Sequence, residues 1–167
     1  MIENIISNEM LIDQFVSKEM ENYFYIKLKE ETDDYIKVKI CELLKFLTLS
    51  HNTNGNIPFN AEIDEMWHLW ILQTIQYQEL MEKLPSKQFI HHCSNDYKDG
   101  REDEVCSETE NNKEFSYLVS YVGNFGPFTK DTYKFWPLTN KLMDAMDIDL
   151  EALNSFLLNI FLKQAGK

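Results

Sequence analysis

Residues 61–92 read AEIDEMWHLWILQTIQYQELMEKLPSKQFIHH, and the fold of the chain turns on how this stretch is read. Ile63, Trp67, Trp70, Ile71, Thr74, Tyr77, Met81 and Leu84 lie along it at helical spacings and cover one broad face. Pro58 and Asn60 precede the run and Pro85 ends it, because proline has no N–H to donate and clashes inside a helix. The pattern predicts one helix over about 60–84. That helix is apolar around much of its circumference, so it is expected to be the central, buried element on which the others pack. KQFIHH beyond the proline reads as an extended segment returning along the domain.

The flanking segments carry the same period. Residues 2–20 read as a first helix through Ile5, Ile6, Leu11, Ile12, Phe15 and Val16, with Ser7 or Asn8 as caps if it starts there. NYFYIKLKEETDD, beginning at Asn22, suits a helix or a short strand, and helix fits its context. Thr32 followed by Asp33 and Asp34 opens the next helix, whose Ile36, Ile40, Leu43, Leu44 and Leu47 form one face through Leu49. HNTNGNIP is a loop with a turn signal at Asn54-Gly55, and His51 stands where a cation suits a helix C-terminus. Residues 94–113, with seven acids and three bases, read as an acidic surface loop or insertion. A helix near 108–122 follows, broken by Gly123 and Gly126-Pro127. Two further helices run over about 137–146 and 150–163, with Asp147 and Asp149 as caps. The expectation is an all-α fold, a single helical domain over 1–167 forming an irregular bundle of five to seven helices.

Composition narrows the function. Of 167 residues 44% are hydrophobic and 13% aromatic, which is the make-up of a folded chain and not of a disordered one. No apolar run approaches the ~18 residues of a membrane span. MIENIISNEMLIDQF carries acids and no lysine or arginine before Lys18, unlike a secretory signal, so a cytoplasmic location is expected. Cys41, Cys93 and Cys106 are an odd, unpaired set that fits reduced thiols. A net charge of −12 opposes nucleic acid over most of the surface and steers cationic partners inward. The expected partner is another protein of basic character, with no nucleic acid and no membrane.

The same stretch holds the residues that bear on chemistry. Asp64 and His68 are four apart and share a helical face, while Glu65 and His68 form a Glu-x-x-His pair, a spacing used by carboxylate-bridged metal sites in bundles. From His68 to Leu84 an unbroken helix rises about 24 Å. Seven extended residues, Pro85 to His91, reach at most about 25 Å, so His91 or His92 can return to the level of His68. A His/His/carboxylate set of Asp64 or Glu65, His68, His91 and His92 would suit zinc or iron. Against this, Glu-x-x-His is common by chance and lacks the second copy and extra glutamates of a di-iron bundle. His68 then serves as a core histidine donating to Asp64. Phosphate-binding glycine loops, G-x-S-x-G, H-E-x-x-H and C-x-x-C are all missing, and nothing near Cys93 would lower its pKa.

IDEMWHLWILQTIQY followed by FIHH resembles the glycine-rich-domain-containing-protein-like family of bacteria and plants. Asp64, Trp67, His68, Ile71, Leu72, Thr74, Tyr77, His91 and His92 stand at matching positions. Tyr121, Phe125-Gly126 and Trp136-Pro137 look like that family's later tyrosine, Phe-Gly and Trp-Pro elements, so the resemblance spans about 40–140. Leu80-Met81 replace a frequent Phe-Cys, and Lys87 stands near a usual glycine, which removes a thiolate ligand. The plant members' roles go with a glycine-rich tail and are not carried over to a chain with five glycines. The resemblance implies that Trp-His and His-His belong together, which favours metal binding. Two readings stand: a protein-interaction module, as adaptor or neutralising partner of a basic protein with a structural Asp/His cluster, or a metal-dependent enzyme or metal-binding accessory.

Overall fold

A computed structural model of the chain describes residues 5–50, 57–91 and 107–166, with 107–111 as backbone alone. The fold is all-α: eight helices and no strand among the described residues. They are α1 (Asn8–Phe15), α2 (Lys18–Lys27), α3 (Asp33–Leu49), α4 (Ala61–Ile71), α5 (Thr74–Lys83), α6 (Ser107–Phe125), α7 (Pro137–Met146) and α8 (Leu150–Ala165). A 3₁₀ turn, Tyr133–Phe135, leads into α7. None of the helices is long and apolar enough to cross a membrane, among the described residues. His51, the turn at Asn54-Gly55, His92, Cys93, Cys106 and the acidic stretch 94–106 lie outside the described residues.

Short-range polar chemistry sets most helix starts. Ser7, Ser17 and Thr32 each accept the backbone N–H three residues on, opening α1, α2 and α3. Asn60 accepts from both Glu62 and Ile63 at α4, and Asp149 from Ala152 at α8. The expected first helix over 2–20 is therefore two helices, because Ser17 is extended (φ −77°, ψ 156°) and caps a new start. Asp147 ends α7 in the left-handed region (φ 53°) instead of capping α8. Gly123 does not break α6. It lies inside the helix, under the Phe161 ring of α8, where an added Cβ would come within 2.3 Å of that ring.

The expected helix over 60–84 is also corrected, since it divides at Leu72–Gln73. Gln73 N–H bonds the Trp70 carbonyl three residues back, and its ψ of 71° turns the chain into α5. In an unbroken helix Trp67 and Tyr77 would lie about 15 Å apart along the axis and about 80° apart around it. The corner brings Trp67 Nε1 to 3.0 Å from the Tyr77 hydroxyl, and both rings are buried. The helix buried on every side is α3, with eleven of its seventeen residues buried and α1, α2, α4 and α6 packed against it. Phe46 of α3 meets Phe59, Trp67, Tyr117 and Trp136 with ring centroids 5.1–6.4 Å apart. α6 packs along α8, and α7 bridges their ends.

Candidate functional site

Around the α4–α5 corner, the residues singled out in the sequence fall into two environments. His68 Nδ1 lies 2.7 Å from the Asp64 carbonyl and 3.2 Å from Asp64 Oδ2. Both are acceptors, so Nδ1 is the ring nitrogen that donates to Asp64. The pair is not core, since the two side chains are 49% and 42% exposed. Water therefore screens most of their attraction. Glu65 and Thr74 are exposed as well, Thr74 as the first residue of α5.

The buried polar connection is the neighbouring one. Trp67 Nε1 donates to Tyr77 Oη, which donates in turn to the Ile90 carbonyl at 2.6 Å. Burial pushes the Tyr77 hydroxyl up to about 12, so it remains a donor at neutral pH. This chain fastens Ile90, in the 86–91 segment, to both α4 and α5. Phe89 stands edge-on to Tyr77 at 5.4 Å, with the His91 ring 4.9 Å beyond it, and both are exposed. Lys87 has φ 49°, a left-handed conformation that glycine adopts more easily. Among the described residues no three His, Cys, Asp or Glu side chains come together as a metal site. His92 lies outside them.

A second polar cluster, which the sequence reading missed, lies deep in the core. The Glu42 carboxylate of α3 is wholly buried. Its Oε1 accepts from Lys45 Nζ at 2.7 Å and from Tyr121 Oη at 2.7 Å, and its Oε2 accepts from Trp136 Nε1 at 2.8 Å. Lys45 Nζ also lies 3.0 Å from Tyr121 Oη. Burial and the Glu42 charge hold the Tyr121 hydroxyl well above its ordinary pKa. Lys39, equally buried, reaches Glu31 at 2.7 Å. A signal for these charges existed. Val38, Cys41, Phe46 and Leu49 fill the flanks of α3 beside its main apolar stripe, leaving little polar face in its second half to carry them to water. Chemically the cluster is closed: one negative and one positive charge cancel, and three donors occupy the carboxylate. It ties α3 to α6 and to the start of α7, where Trp136 is buried.

Elsewhere, an apolar groove of about 560 Å³ lies between the end of α6 and α8, lined by Ile5, Val122, Phe128, Leu150 and Leu158 among others. Asn154 at its wall is spent on the Phe128 backbone, donating to the carbonyl and accepting from the N–H. Compared with known proteins, the chain matches no family model, no curated protein and no solved structure.

Proposed function

We propose that the chain is a cytoplasmic protein-interaction module, an adaptor or a neutralising partner of a basic protein, in which Asp64 and His68 have a structural role. One observation carries this reading. Leu72 and Ile75, three residues apart at the α4–α5 corner, are 70% and 67% exposed on a chain of net charge −12. Single exposed apolar side chains are ordinary, whereas neighbouring ones on a charged surface mark contact sites. The closed Glu42 cluster supports the same reading, since the strongest polar chemistry inside the protein is spent on the fold. The buried, unpaired Cys41 thiol fits a reducing compartment.

The test is affinity capture, followed by titration of the purified partner at rising ionic strength. The expected partner is basic, and its Kd rises as salt shortens the range of the attraction, from a Debye length of about 10 Å at 0.1 M to about 3 Å at 1 M. Binding indifferent both to salt and to charge reversal on this chain refutes the electrostatic reading.

A second reading rests on the bond from His68 Nδ1 to Asp64. A ring nitrogen fixed by a carboxylate on the far side is the usual second-sphere arrangement of a metal-binding histidine. Under it, zinc or iron is held by His68 with His91 or His92 and, of the two carboxylates Asp64 and Glu65 offered by the sequence, Glu65, because Asp64 holds the Nδ1 side of the ring. The resemblance of 61–92 to the glycine-rich-domain-containing-protein-like family supports this set. Elemental analysis of untagged protein beside His68→Ala and His92→Ala decides it: metal that is stoichiometric in the wild type and lost in both folded variants is required.

A further inference from the structure

The pattern around Leu72 and Ile75 is more specific than an apolar pair. On α4 and its C-cap, Glu65, His68 and Leu72 are spaced three and four apart and are all exposed, so they run down one outward line. On α5, Ile75, Glu79 and Glu82 repeat that spacing and exposure. Along the chain the two exposed apolar residues stand on either side of the corner, with exposed Glu65 before them and exposed Glu79 and Glu82 after them. Between 61 and 83 the chain carries Glu62, Asp64, Glu65, Glu79 and Glu82 against a single lysine, Lys83.

We infer that this corner is the docking surface for an amphipathic helix of a basic protein. Two apolar side chains of that helix, three or four residues apart, would seat on Leu72 and Ile75, with lysines or arginines flanking them to meet the carboxylates. This rests on the interaction-module reading and gives it a seat and a ligand chemistry. Charge complementarity selects the occupant. A second copy of the chain placed two-fold on the same surface would set carboxylates against carboxylates, and an anionic membrane surface is repelled by the same groups. Apolar anchors in a charged rim supply affinity at the centre and steering at the edge.

The probe is a fluorescein-labelled synthetic helix with leucines at that spacing and flanking lysines, read by anisotropy on the full chain. Two controls replace its lysines by glutamate and its leucines by serine. The wild type is expected to bind the basic probe, to lose affinity at high salt, and to bind neither control. Leu72→Ser with Ile75→Ser is expected to weaken binding by about tenfold or more. Both residues are exposed, so circular dichroism of the variant should be unchanged. Binding that survives the double substitution in a folded protein overturns this seat while leaving the interaction module standing. Equal binding of the glutamate control, or no binding of the basic probe, overturns the charge argument. Wild-type self-association that the double substitution abolishes would assign the face to a second copy and overturn the proposal. Failure of the module itself reads out separately, as a captured natural partner whose binding ignores salt and charge reversal.

Discussion

Replacing Lys45 by methionine tests the closed cluster at its weakest link. Methionine keeps most of the unbranched stem and its packing, so the change is confined to the ammonium group. Lys45 Nζ lies 2.7 Å from Glu42 Oε1, and the two side chains are 6% and 0% exposed. It also lies 5.0 Å from the Tyr121 ring centroid, so a cation–π contact goes with it. Glu42 keeps Tyr121 and Trp136 as donors but loses its only counter-charge within the cluster. Breaking one side of a buried pair costs about 3–5 kcal/mol, because the other charge is left stranded. For a chain of this size each kcal/mol moves Tm by about 2–4 °C, which gives a fall of roughly 6–20 °C. Thermal and urea unfolding followed by circular dichroism measure it. Lys37→Met is the control, since the Lys37–Glu21 pair spans 3.6 Å with the lysine 49% exposed, and pairs of that kind contribute about 0–1 kcal/mol. If Lys45→Met loses no more than Lys37→Met, the Glu42–Lys45 pair does not behave as a buried ion pair.

Tyr77→Phe removes the hydroxyl joining Trp67 Nε1 to the Ile90 carbonyl; a loss of about 1–3 kcal/mol is expected, with faster amide exchange at 88–91. Gly123→Ala drives a methyl into the Phe161 ring and should cost about 1–3 kcal/mol of overpacking, eased when Phe161→Leu is added and both are compared by urea unfolding. Alkali should unfold the protein. Tyr77, Tyr117 and Tyr121 are held above their ordinary 10.0 in the fold. Above pH 10 the unfolded chain releases these protons while the fold retains them, so stability falls as pH rises, over about pH 10–12 for Tyr77. Absorbance at 295 nm should show these phenols ionising only together with loss of the helical signal.

Legibility followed the range of the interaction. Thr32, Asn60 and Asp149 cap helices through atoms two or three residues away, and Pro137 opens α7 at its first position, so a short window of sequence contains the cause. The break at Leu72–Gln73 has no local cause, with neither glycine nor proline near it. It follows from burying Trp67 and Tyr77 together, a contact that exists only once the corner has formed. Glu42 and Lys45 were hidden for a related reason. Read one by one, charged residues are assigned to water, and their burial depends on α6 and on Trp136, which is ninety-four positions away from Glu42. Of the candidate metal ligands, periodicity located Asp64 and His68 on one face correctly but not their exposure.

The buried charges of α3 also settle a question of orientation. Hydrophobic attraction has no direction, so a helix greasy on every side gains almost as much in one rotational setting as in another. One residue of slippage would swing Glu42 through about 100°, away from the indole of Trp136 and the phenol of Tyr121, with its charge still inside. Glu42 thus works as an index pin, admitting one setting of the shaft. The setting is passed on to α4 through the Tyr35 hydroxyl on Glu62, 2.6 Å away, and through Phe46 against Trp67. The aim of the exposed corner at Leu72 and Ile75 is therefore set from the centre of the molecule, by a carboxylate that no partner ever touches.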